Sequence, residues 1–291
     1  MPTLLAVGFF AAAALVYGVT AWTTAGQEWD QQVFLAARSR LSVLPVPAWA
    51  RIPWVSSPAM WIGTATLIGL LGVVCGLRWR TMLYLAFPPS MILLARLLRT
   101  VVLDRPQLDG AAQWAAANAA PSGHATAAVA VAVVLVKVAP ALLRPWIAVV
   151  VAGWATLIGV QLVVAGWHRP GDVLLAFLLV GAFADLLPTV RDDPTGSARA
   201  GRDPAAARVR APAERRGGLA GRRIQCRPAA LILILGTLAG VTSTWATVGT
   251  LGPKTTQAFA LIALCAAAVL SAAPAPGRSR RGPRAGTGRV R

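Results

Sequence analysis

The sequence predicts an all-α fold, a polytopic transmembrane helical bundle with a six-span core and a two-span C-terminal hairpin. Two observations carry this. The 291 residues are 56% hydrophobic and only 13% charged, against roughly 25% charged in an average soluble chain. The charges are also bunched: residues 1–27, 52–77, 145–167, 228–253 and 255–277 contain none, whereas roughly 20 apolar residues suffice to cross a bilayer. A soluble enzyme is excluded.

Taken in order, the spans are predicted at about 3–23, 57–76, 81–98, 122–143, 145–166, 172–188, 229–250 and 256–275. The first has no basic residue before it, and Thr23-Thr24-Ala25-Gly26 is a poor cleavage site, so it is expected to stay as a span. Trp22, Trp79, Trp146 and Trp167 stand at span ends, where an aromatic belt is expected. Residues 1–188 form the six-span core. Residues 189–228 are an Arg/Ala/Pro/Gly-rich linker expected to be disordered, residues 229–275 form the hairpin, and residues 276–291 form a basic tail.

The net charge of +18 lies between the apolar segments or at their edges, with Arg96 the exception. Its first reading is topology. With a cytoplasmic N-terminus, 20 of the 28 basic residues fall on the inner side and seven on the outer, so both termini are expected in the cytoplasm of a multi-pass cell-membrane protein. Contact of the basic linker and tail with anionic lipid is the second reading; no nucleic-acid partner is expected. Cys75, Cys226 and Cys265 lack metal-ligand spacing, and no disulfide framework or zinc site is expected.

The chain has two histidines, His124 and His168, and this topology puts both at the outer face. His124 follows Pro121-Ser122-Gly123 at the start of a span. A helix start presents outward-pointing N–H groups and the positive end of the helix dipole, both suited to an anion. Glycine admits close approach, and Ser122 adds a hydroxyl. Arg99 and Arg105, in the preceding outer loop, offer planar forks that match phosphate oxygens. His168 and Asp172 are four apart, a spacing that shares one helix face, and a carboxylate there would fix the imidazole tautomer. A carboxylate-oriented histidine, a second histidine and an anion cradle are sufficient parts for phosphoryl transfer.

At these residues the sequence resembles the type 2 phosphatidic acid phosphatase superfamily, whose three motifs are Lys-x6-Arg-Pro, Pro-Ser-Gly-His and Ser-Arg-x5-His-x3-Asp. The second is complete as Pro121-Ser122-Gly123-His124, the third keeps His168 and Asp172, and the first keeps Arg105-Pro106. The resemblance spans residues 1–188. It implies that His168 is the nucleophile, that Asp172 orients it, and that His124 protonates the leaving group and then activates water. It further implies that Arg105, Ser122, Gly123, Arg99 and Arg169 hold the phosphoryl oxygens, and that neither metal nor cofactor is needed. The implied substrate is a lipid phosphate or polyprenyl diphosphate in the outer leaflet. Three positions depart from the pattern: Leu98 stands where the family has lysine, with Arg99 one residue later, and Gln161 and Leu162 stand where it has Ser-Arg, with Arg169 the nearest substitute for the arginine. A phosphotransferase of the same fold and a catalytically degenerate scaffold are the alternatives these departures keep open. Oligomeric state and the role of the hairpin are not legible in the sequence.

Overall fold

The structure, a computed structural model, describes residues 2–41, 57–74, 80–108, 119–140, 142–187 and 252–272. Among these residues it is helical throughout, without strands. The helices are α1 (Pro2–Trp22), α2 (Thr24–Leu41), α3 (Pro58–Val74), α4 (Arg80–Leu97), α5 (Gly123–Val138), α6 (Arg144–Val164), α7 (Pro170–Phe183) and α8 (Pro253–Ala272). A π-helical turn, Leu98–Val102, extends α4, and a 3-10 turn, Ala184–Leu186, closes α7. Helices thus stand at seven of the eight predicted spans; the eighth, 229–250, lies outside the described residues, as do the linker 189–228 and the tail 276–291.

Among the described residues, four helical segments are long and apolar enough to cross a membrane: Leu4–Trp22, Arg80–Val102, Arg144–Val164 and Pro253–Ala272. α3 and α5 are shorter apolar helices. α5 is the axis of the bundle. From Ala125 to Val138 every residue but Leu135 is buried, which is why its Ala/Val sequence is apolar on all sides instead of striped.

Around that axis, α1 runs antiparallel to α7. A side chain at Gly171 would meet Thr20, and one at Gly181 would meet Phe9, so the end of α1 lies by the start of α7. α8 packs into the same core. Ile262 lies against Gly159 of α6, and Val269 against Gly181 of α7, while Ala258, Phe259 and Ala266 are fully or nearly buried. The missing β-carbons at Gly159 and Gly181 let these backbones approach closely.

The departure from expectation is α2. Sequence reading leaves residues 24–56 as an outer connection, yet 24–41 fold into a helix laid across one end of the bundle. It touches α1, α6, α7 and α8. The turn into it is tight: Thr23 caps the helix by accepting from Gly26 N–H at 3.0 Å. A β-carbon at Gly26 would stand 2.0 Å from the Val19 carbonyl oxygen. Trp29, Val33 and Ala37 seat α2 in the main core, and its other face carries Gln27, Asp30 and Gln31 toward the loops between the spans.

Candidate active site

The site lies at the bundle end that α2 covers, where the starts of α5 and α7 stand side by side. Ser122 N–H donates to the Asp172 carbonyl at 3.1 Å, tying the two helix starts together. Ser122 is wholly buried and its Oγ accepts from Ala125 N–H at 3.3 Å, an N-cap bond to the third residue of α5. The first amides of α5, at Gly123 and His124, point out of the helix end. A side chain at Gly123 would meet nothing within 4 Å; the space in front of this helix start is open.

The start of α7 follows from its sequence. Pro170 occupies the first helical position, where a missing N–H costs nothing. Asp172, two residues on, accepts the Arg169 backbone N–H on Oδ2 at 3.0 Å and meets the positive end of the helix dipole. The same Oδ2 lies 3.5 Å from His168 Nδ1. Neither His168 Nδ1 nor Asp172 Oδ1 has a hydrogen-bond partner among the described residues; the 3.5 Å approach is an ion-pair distance. With Nδ1 turned to the carboxylate, Nε2 is the nitrogen that faces a reactant.

His124 is brought to His168 through Trp167, whose ring packs edge-on against His124 with centroids 5.4 Å apart. His168 and Arg99 are both near enough to act on His124 electrostatically; Arg99 sits in the π-helical turn after α4. The bend that aims His168 depends on Leu162, whose carbonyl accepts from both Trp167 N–H at 3.0 Å and His168 N–H at 3.1 Å. The Leu162 side chain is fully buried in the core, so it offers the site no donor.

Arg105 lies in an extended segment held from both sides. Tyr17 of α1 donates to the Asp104 carbonyl and accepts from Asp104 N–H. Gln27 of α2 donates to the Pro106 carbonyl at 2.6 Å and accepts from Leu108 N–H at 3.1 Å. Between these clamps the Arg105 guanidinium enters the interior, with both terminal nitrogens 3.4 Å from Asp30 Oδ2 and one of them 4.0 Å from Asp172 Oδ1. Arg169, nearly buried, donates from Nε to Gln31 Oε1 at 3.2 Å.

All the residues singled out in sequence therefore gather at this end. What sequence reading missed is the contribution of α1 and α2: Tyr17, Gln27, Asp30 and Gln31. The available signal was a capping Thr23 ahead of Trp29, Val33 and Ala37 at four-residue spacing, the mark of a helix with one apolar stripe.

A membrane-embedded helical protein with two histidines, a carboxylate and arginines at joined helix starts is a protein equipped for phosphoryl chemistry. Residues 59–194 match the family model of the PAP2 superfamily, in agreement with the motifs. Neither the curated proteins nor the solved structures yield a match. Members of the superfamily generally hydrolyse phosphate esters, which supports a phosphatase-type function in a multi-pass membrane protein.

Proposed function

We propose that the protein is a lipid phosphatase that hydrolyses a lipid phosphate or polyprenyl diphosphate at the extracytoplasmic face, through a phosphohistidine and without metal. The observation that carries it is the pairing of His168 Nδ1 with Asp172 at 3.5 Å, at a helix start tied to the one that bears His124. His168 Nε2 attacks phosphorus and the bond to the leaving oxygen breaks, with His124 donating a proton to that oxygen. His124, now neutral, takes a proton from water. The hydroxide attacks the phosphohistidine, the P–N bond breaks, and inorganic phosphate leaves. Asp172 stabilises the imidazolium character of His168 as it bonds to phosphorus, while Arg105, Arg169, Arg99 and the amides of Gly123 and His124 take up negative charge on the phosphoryl oxygens.

Several features support a lipid substrate and an outer site. The site stands at the end of an apolar bundle, and the half-exposed Trp167 beside His168 suits the headgroup level. The basic-residue count assigns that end to the outside, with a six-span core. The basic linker and tail remain candidates for anionic-lipid contact on the inner side. Leu162 favours one competing reading, a scaffold whose site has lost activity, since its buried side chain contacts no substrate.

The test is phosphate release from a panel of lipid phosphates in detergent–lipid micelles containing EDTA. Release that both His168→Ala and His124→Ala reduce to background is expected. No release from any lipid by folded wild-type protein would sink the phosphatase and leave the phosphotransferase and the scaffold.

A further inference from the structure

Asp30 is a buried carboxylate that no motif announces and that lies outside the matched family region. A buried charge is costly unless paired and hydrogen-bonded, and here both oxygens are engaged. Oδ1 accepts from the Gly171 backbone N–H at 2.8 Å, and Oδ2 faces both terminal nitrogens of Arg105 at 3.4 Å. A β-carbon at Gly171 would stand 3.0 Å from Asp30 Oδ2, so glycine at 171 is what lets the carboxylate reach the α7 backbone. The Nη1 that faces Asp30 also lies 4.0 Å from Asp172 Oδ1. The guanidinium is therefore suspended between two carboxylates, one of which also faces the nucleophilic histidine.

We infer that Asp30 is a positioning residue of the active site: it fixes Arg105 beside Asp172, so that the arginine's remaining donors present to a phosphoryl group next to His168. The inference rests on the phosphatase reading. Two carboxylates sharing one guanidinium cannot both hold their charge cheaply, and Asp30 is the one that yields. Burial first, and then the charge of Asp172, push its pKa up to about 7, against the Gly171 amide, Arg105 and Arg169, which act the other way. The charged groups facing it are Arg105 from the segment after α4, and Arg169 and Asp172 from the start of α7. α1 contributes only the Thr20 hydroxyl nearby. Ionised Asp30 holds Arg105 in place; protonated Asp30 lets it relax toward Asp172. Substrate affinity therefore weakens as pH falls through about 7.

The test compares wild type, Asp30→Asn and Asp30→Glu in the same micelles, with thermal unfolding as the check on folding, measuring KM and kcat from pH 5 to 9. Asp30→Asn keeps an acceptor for Gly171 N–H and removes the charge. It is expected to lower kcat/KM at pH 8 at least fivefold, mostly through KM, and to abolish the rise in KM that wild type shows below pH 7. A smaller loss, or one that leaves the pH profile unchanged, overturns the inference. If Asp30→Asn does not fold, Asp30→Glu decides by the same fivefold criterion, since it displaces the charge by one methylene. If wild type releases no phosphate from any lipid, the phosphatase reading fails on its own. Asp30 is then judged by whether inorganic phosphate raises the unfolding temperature of wild type and not of Asp30→Asn; equal protection overturns it.

Discussion

Asp172 concentrates three tasks in one side chain. It caps the start of α7, faces Nδ1 of His168, and shares Arg105 with Asp30. Asp172→Asn keeps the shape and removes the charge, so the helix start should survive while the histidine loses its orienting partner. A loss in kcat on the order of 10²–10⁴ is expected, by comparison with orienting aspartates elsewhere, with the unfolding temperature little changed. Arg105→Ala removes a phosphoryl donor and strands two carboxylates near one another; a loss of about 10²–10³ in kcat/KM is expected from steady-state rates. Asp30 gives a stability signature as well. Its pKa in the folded state is raised from 3.8 to about 7, so the folded state binds the proton more tightly than the unfolded chain does. The resulting stabilisation is complete below about pH 4 and is lost as pH rises through about 7. The unfolding temperature of wild type should fall over that interval relative to Asp30→Asn, which has no such ionisation. At this scale the sequence was informative where chemistry needs a rare residue type: two histidines and a Pro-Ser-Gly run single themselves out. Asp30 could not be found that way, because one aspartate in a polar stretch looks like any solvated charge until the fold buries it.

At the scale of elements, the apolar helices were legible because water and lipid impose one rule on about 20 residues at a time. α2 obeys a different rule. It is amphipathic, its apolar stripe packs on the bundle, and its polar face serves the site, so a search for continuous apolar stretches passes over it. The turn that launches it is sterically exact in its demand for glycine. Gly26→Ala would drive a β-carbon to 2.0 Å from a backbone oxygen, and backbone cannot yield as a side chain can. This variant should unfold at lower temperature and lose the clamp on Pro106 and Leu108. Gly171→Ala is the milder case, since Thr20 and Asp30 side chains at 2.8–3.0 Å can shift. It should cost about 1–3 kcal/mol of stability and, by displacing Asp30, should raise KM more than it lowers kcat.

At the scale of the molecule, the family match ends where the support for the site does not. Residues 59–194 contain both histidines, Asp172 and Arg105, but Tyr17, Gln27, Asp30 and Gln31 precede that stretch and α8 follows it. Ending the chain at residue 252 would strip Ile262, Ala266 and Val269, all fully buried, from the core. Such a truncation should fail to give a cooperative unfolding transition, whereas deletion of 276–291 should leave phosphate release intact. The sequence marked out seven of the eight α-helices among the described residues; where α8 sits could not be read, because Gly159 and Gly181 become contact points only when three helices converge.

The clamps on Arg105 also set an order of events for a chain made from its N-terminus. Tyr17 and Gln27 leave the ribosome before the arginine they bracket, but Asp172, which completes the pair around its guanidinium, follows 67 residues later. The last packing layer comes only with α8. A nascent chain that has emerged only as far as residue 194 therefore carries both histidines, Asp172 and Arg105 and yet lacks the α8 layer, so the site is expected to settle only after Pro253–Ala272 has emerged.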